Sequence, residues 1–269
     1  MVPDWGAYRA YMRRRRYHPN TVRARMSAAV DWIAFAGPAW ESATFDDVED
    51  WMAGRDLSPG STRNLLVSLR AFYRWTVRTG LVASDPCRLV ESVRLPMRLP
   101  RPADDRAIHD LLEQGDVLLS AIVALMAGAG LRCVEVSRLD WCDVDLHAGR
   151  VRVVGKGDRE RILDVSDAVR MRLAALDHVV GAVFVGPSGD RMSPAAVSIY
   201  VNRRARQLAL GVTAHQMRHR FATEALRQPG ANLLAVRDAL GHSSVATTQI
   251  YTALLPGLVA EMSRRVTLP

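Results

Sequence analysis

Two stretches near the N-terminus carry apolar residues at helical spacing. In HPNTVRARMSAAVDWIAFAG, Val22, Met26, Ala29, Val30 and Ile33 fall on one face of a 3.6-residue period. Pro19 stands near the first turn, where its missing N–H costs nothing, and Gly37 stands at the stop. A parallel unit follows in LSPGSTRNLLVSLRAFYRWTVRTG. Ser58 is placed to cap it, Pro59 takes the first helical position, and Leu65, Leu69, Phe72 and Thr76 form the stripe up to Gly80. The pattern predicts a small helical domain over residues 1–94.

The periodicity then breaks. RLPMRLPRPADD places Pro96, Pro100 and Pro102 in a stretch with few residues able to anchor a core. Proline removes an N–H and pushes its predecessor out of the helical region, so 95–102 reads as an extended linker before a second domain, 103–269. There the helical pattern returns with one interruption. RVRVV (150–154) alternates polar and apolar and can pair with RERILDV (159–165) across GKGD, a β-hairpin with Lys156 at its exposed tip. AVFVG (182–186) is expected to add a short strand. SPAAVSIYVNRRARQLAL (193–210) and HQMRHRFATEAL (215–226) read as helices. The expected fold class is mainly α, with a small β-hairpin or sheet in the second domain.

Charge narrows the partner. A net charge of +8 and a pI near 10.1 favour a polyanion, nucleic acid or an anionic membrane. The longest apolar run, LLSAIVALMAGAGL, is too short to span a bilayer, and the N-terminus lacks a signal-type leader. Three cysteines without metal-type spacing suggest reduced cytosolic thiols. The expectation is a soluble, cytoplasmic protein that meets nucleic acid and no membrane. Residues 1–25 hold seven arginines and one aspartate, including Arg13, Arg14, Arg15 and Arg16, whereas ESATFDDVED (41–50) holds five acidic residues. The arginine run suits either phosphate contact or a solvated helix face. Arg23, Thr62 and Arg63 join it as candidate DNA contacts.

Several local motifs fail on inspection. GKG is no P-loop, because Gly157 stands where Ser or Thr belongs and no glycine stands at 150 or 151. His215 and His219 have the spacing of a zinc-protease helix, but Gln216 replaces the glutamate base and Arg218 between them repels a cation; no metal is expected. ANLLAVRDALGHSSVATTQIY has the outline of a helix-turn-helix, yet VATTQIYT offers no Arg, Lys or Asn to read base edges.

A wider grouping accounts for more. GLRCVEVSRL supplies Arg132 and Glu135, HQMRH supplies His215 and Arg218, LGHSS supplies His242, and TTQIYT supplies Tyr251. With Lys156 these are the parts of phosphoryl transfer without a metal. Two guanidiniums clamp phosphate oxygens, a phenol attacks, and the leaving oxygen takes a proton. Lys156 is the only lysine among 36 Lys and Arg residues. An arginine holds its proton too firmly to be a good general acid, so a lone lysine at a hairpin tip argues for proton donation.

These four segments, with VVGKGDRER, resemble the tyrosine recombinase (phage integrase) family in order and spacing, over most of residues 128–252. The resemblance implies a SAM-like helical core-binding domain before a mostly helical catalytic domain. It implies that Tyr251 attacks a scissile phosphate to form a 3′-phosphotyrosyl bond, that Arg132 and Arg218 hold the phosphate, and that His242 hydrogen-bonds it. His215 would serve as base or positioning group, Lys156 as acid, and Glu135 as a support for Arg132 or His215. No metal, ATP or other cofactor is implied. The implied partners are double-stranded DNA attachment sites and three further copies of the chain, a tetramer on DNA, with an accessory DNA-bending or directionality protein allowed for. The C-terminal stretch 257–266 is expected to dock on a neighbouring protomer or on its own domain. With about 94 residues before the linker, the chain looks like a small integrase without an arm-binding domain. A Xer-like chromosomal resolvase, a type IB topoisomerase and a catalytically silent DNA-binding protein are the alternatives.

Overall fold

The computed structural model describes residues 2–95, 99–155, 159–177, 180–228, 230–241 and 250–251. The chain divides into two compact units, residues 1–97 and 98–269.

The first unit is helical: α1 (Trp5–Arg14), α2 (Pro19–Ala36), α3 (Phe45–Ala53) and α4 (Pro59–Arg78). Each begins with a side chain that satisfies N–H groups the first turn leaves unpaired: Asp4, His18, Thr44 and Ser58. The acidic stretch 41–50 has a local explanation. Thr44 and Asp47 form a reciprocal capping box, and Asp46 and Asp47 lie in the first turn of α3, where the helix dipole favours negative charge. The core is aromatic, built on Tyr8, Trp32, Trp40, Trp51, Phe72 and Tyr73. A short polar chain runs through it: the Trp32 indole donates to the Tyr73 hydroxyl at 2.8 Å, which donates to the Trp40 carbonyl at 2.9 Å. The apolar stripe of α2 differs from the expected one. Ala28, Ala29 and Trp32 are buried, Val22, Met26 and Ile33 flank them, and Val30 is exposed. The indole of Trp32 fills the space facing α4, which turns Val30 out to solvent.

The second unit wraps around α6 (Val117–Gly128), which is apolar on all sides and buried from Ala121 to Ala127. Around it stand α5 (Asp105–Glu113), α7 (Cys133–Arg138), α8 (Asp167–Ala174), α9 (Pro194–Gln207) and α10 (Ala214–Arg227), and α11 (Leu233–Leu240) packs on α10. No described helix is long and apolar enough to cross a membrane. A three-stranded antiparallel sheet, β1 (Val144–Asp145), β2 (Arg150–Val154) and β3 (Glu160–Asp164), contains the expected hairpin. Its register pairs Val151 with Leu163 and Val153 with Arg161.

AVFVG does not form a strand. Ala182 and Val185 each make a single isolated bridge, to Asp140 and Arg191. Gly181 adopts φ +105°, and the chain folds back at once through Gly186 and Gly189, so Val183 and Phe184 plug the core instead of extending the sheet. β1 escapes a reading from sequence because two residues carry no readable alternation. Residues 242–249, most of the second half of the helix-turn-helix outline, and the stretch 257–266 lie outside the described residues.

Candidate active site

The site grows from the start of α7. Gly130, at φ +70°, turns the chain so that Arg132 occupies the N-cap in an extended conformation. A side chain at position 130 would run into the Phe221 ring. Glu135, three residues on, folds back to accept the Arg132 backbone N–H at 2.8 Å. Its other oxygen accepts Arg132 Nη1 at 2.9 Å.

Glu135 is only 2% exposed, so its charge must be matched internally. Arg161 of β3 does most of this, donating Nη1 to Oε1 at 2.9 Å and Nη2 to Oε2 at 3.0 Å. Arg218 Nη1 lies 3.8 Å from Oε2. The carboxylate thus accepts two donors on each oxygen, all that it can take. Burial opposes its ionisation, but the Arg161 hydrogen bonds and the neighbouring positive charges outweigh that and hold Glu135 below the usual carboxylate range.

The end of α11 orients the cations. Arg161 Nε donates to the Ala239 carbonyl at 2.8 Å, Arg218 Nη2 to Leu240 at 2.6 Å and Arg132 Nη2 to Gly241 at 3.2 Å. These are carbonyls that a helix C-terminus leaves unpaired, at its negative end. Gly241 caps the helix in the left-handed conformation, and a Cβ there would come within 2.9 Å of Arg161 Nη1. Arg218, on α10, also donates to the Gly130 carbonyl and is almost wholly buried. Burial and the nearby Arg132 lower its pKa to about 9. Arg132 is the more exposed of the pair, with a third of its side chain open to solvent.

α10 contributes the histidines. His215 is exposed in the first turn, and His219, one turn on, is half-buried with its ring 4.2 Å away and edge-on at 72°. His219 Nδ1 lies 2.7 Å from the Tyr251 hydroxyl. The Tyr251 ring packs among Ala222, Leu226, Val236 and Leu240. Burial raises its pKa while Arg218 and Arg132 pull it down; the balance leaves it above the ordinary phenol. Desolvation, then the charges of Arg218 and Arg132, hold His215 below the usual histidine value. Burial, His215 and Arg218 together take His219 down to about 4. Two guanidiniums near enough to bias a phenol by their charge, with imidazoles beside it held below the usual histidine value, suit a phosphate that is to be attacked.

A sequence profile of the phage integrase family matches residues 103–257, which include every residue of this site. The chain belongs to that family. Among curated tyrosine recombinases, XerC of Myxococcus xanthus is 31% identical over 261 residues, covering 87% of each chain. Among solved structures, XerA recombinase is similar at 25% identity and a TM-score of 0.55, over 98% of this chain and 99% of that one. The fold also matches a lambda integrase dimer bound to a COC′ core site, at a TM-score of 0.76 and 18% identity, over 92% of this chain and 93% of that one.

In this tyrosine recombinase the structure brings Arg132, Glu135, His215, Arg218 and Tyr251 together. Glu135 meets Arg132; among the described residues no hydrogen bond joins it to His215. Lys156 and His242 lie outside the described residues. The hairpin that leads to Lys156 does approach the cluster, since a Cβ on Gly155 would lie 3.8 Å from Glu135 Oε1. No group of three metal-ligating side chains occurs among the described residues. The candidate DNA contacts all stand in the first unit: Arg13 to Arg16, Arg23 and Arg63 are exposed, and Thr62 is half-buried and donates to the Ser58 carbonyl.

Two residues of the site are not singled out by sequence. Arg161 closes the quoted VVGKGDRER, and the register pairs it with the buried Val153. An arginine on an inward strand position, beside an outward Ile162 at 67% exposure, is a usable signal of a buried charge partner. His219 enters the sequence reading only as a metal ligand.

Removing the charge at the centre has a defined cost. Glu135→Gln is expected to destabilise the second unit by about 3 kcal/mol near neutral pH, the usual effect of breaking a buried ion pair. Because the folded state lowers this pKa, the deficit is full above the ordinary carboxylate range and closes as pH falls through the lowered value. Urea unfolding of wild type and variant from neutral to acid pH checks both the size and the closing.

Proposed function

We propose that this chain is a site-specific DNA recombinase that cuts and rejoins double-stranded DNA through a 3′-phosphotyrosyl bond at Tyr251. The observation that carries the reading is the Tyr251 hydroxyl held in one site with Arg132 and Arg218, two guanidiniums already fixed by Glu135 and the carbonyls of α11. Preformed cations stabilise the charge of a pentavalent phosphorus without reorganising during the reaction. Tyr251 Oη bonds to phosphorus, and the bond to the 5′ oxygen breaks. Lys156 gives that oxygen its proton, and His242 hydrogen-bonds the phosphate. The phosphodiester's energy stays in the new covalent bond, so rejoining needs neither ATP nor a metal. A second 5′-hydroxyl then attacks, and a tetramer of this chain exchanges strands two at a time. A lambda integrase tetramer on a Holliday junction, at a TM-score of 0.74, supports that assembly by likeness of fold. An accessory DNA-bending or directionality protein remains part of the reading.

The first unit is proposed as the core-binding domain, joined through 95–102 to the catalytic domain, with Arg13 to Arg16, Arg23, Thr62 and Arg63 meeting DNA. As to biological role, phage-type integration is the leading reading, and the 31% identity to XerC supports a Xer-like resolving role beside it. A requirement for two different sites supports the former; resolution of a plasmid bearing two direct copies of one site supports the latter.

Labelled DNA carrying the target site, incubated with protein in EDTA and run on a denaturing gel, is expected to give a covalent band with wild type and none with Tyr251→Phe, which still shifts the DNA on a native gel. A band with both proteins removes Tyr251 from the chemistry. Neutralising Arg13 to Arg16 is expected to make log K fall less steeply with log salt, by roughly 0.9 in slope for each phosphate that is no longer neutralised. An unchanged slope returns the run to solvent.

A further inference from the structure

The Tyr251 hydroxyl cannot attack phosphorus while it keeps its proton, and its surroundings make that proton hard to lose. The ring sits among apolar side chains and is 2% exposed, so water has poor access. Among the described residues one basic group meets the oxygen: His219 Nδ1, at 2.7 Å. No hydrogen bond joins His215 to Tyr251 there. His215 instead presents its ring edge-on to His219, centroids 4.2 Å apart, and stands exposed.

We infer that His219, not His215, is the catalytic residue that takes the Tyr251 proton during DNA cleavage and returns it during rejoining. The inference rests on the reading of Tyr251 as nucleophile. In cleavage, Tyr251 Oη bonds to phosphorus as its O–H bond breaks and the proton passes to His219 Nδ1. The P–O5′ bond breaks, and the 5′ oxygen gains a proton from the general acid. Rejoining runs these transfers in reverse, so His219 ends each cycle neutral. Transfer of the proton requires a neutral imidazole whose own proton is on Nε2, so that Nδ1 accepts from the phenol. The low pKa of His219 in the free protein keeps the ring neutral. Two changes on DNA binding help it act. A phosphate diester beside Arg132 and Arg218 offsets positive charge that opposes protonation of His219, and bonding to phosphorus makes the phenol far more acidic. His215 is then a positioning residue, its ring fixing the plane of its neighbour.

The test uses the full chain and its target DNA in single-turnover cleavage. His219→Gln keeps a hydrogen-bond acceptor but cannot take a proton. It is expected to bind DNA as wild type does and to cleave more slowly by roughly 10²–10⁴-fold, the range for a lost general base. Replacing Tyr251 by a fluorinated tyrosine, whose phenol is more acidic, is expected to restore most of that loss. Cleavage by His219→Gln at close to the wild-type rate overturns the inference, as does a loss that fluorination does not restore. Should His219→Gln fold poorly, nitrogen NMR of labelled histidine in the unaltered chain decides. The expected state is Nε2-protonated, with an Nδ1 signal that moves in Tyr251→Phe; an Nδ1-protonated His219 overturns it. Failure of the underlying reading looks different, since wild type itself would then form no covalent band.

Discussion

A single buried carboxylate, Glu135, sets the geometry on which the site depends. Three arginines converge on it, and without an anion among them guanidiniums this close would repel one another. Glu135 offsets one positive charge of three, so the cluster keeps an excess of about two for an incoming anion. Both its oxygens are already saturated, by two donors from Arg161 and two from Arg132. Arg132 is therefore held in place while a third of its side chain stays open to solvent. Arg161 sequesters the carboxylate, and Arg132 remains available to a phosphate.

The same cluster ties three distant parts of the chain together. The carbonyls of Ala239, Leu240 and Gly241 each accept one arginine, from β3, from α10 and from the start of α7. One helix end thus takes on three functions. It pairs its own orphan carbonyls, orients the cations, and fixes the point from which the chain leads on toward Tyr251. Gly241 is required twice, for its left-handed backbone and for the space its missing side chain leaves to Arg161. Across the site, α10 brings Arg218 and His219 to the two ends of the same task, charge on the phosphate and a proton acceptor on the nucleophile.

Much of this was legible in the sequence because local rules and global fold agree. Ser58, Pro59 and Gly37 mark helix ends by capping chemistry that needs no tertiary contact. RVRVV and RERILDV announce a hairpin by alternation and a glycine-flanked turn. Arg132, Arg218, His215 and Tyr251 could be grouped because phosphoryl transfer demands those residue types together. The rest depended on long-range contacts. Trp32 displaces Val30 because of what α4 presents to it. AVFVG looks like a strand but is cut short by the turn after Phe184. The part played by Arg161 appears only once the hairpin register is applied, and the pairing of His219 with Tyr251 joins residues 32 apart in the chain.

The most direct test of the account maps the covalent bond itself. Adduct formed on target DNA would be trimmed with nuclease, digested with protease and analysed by mass spectrometry. A nucleotide-sized mass increase is expected on the peptide that contains Tyr251, with fragmentation placing the phosphate on that phenol. The same mass on another tyrosine, on a serine or on a histidine would contradict it.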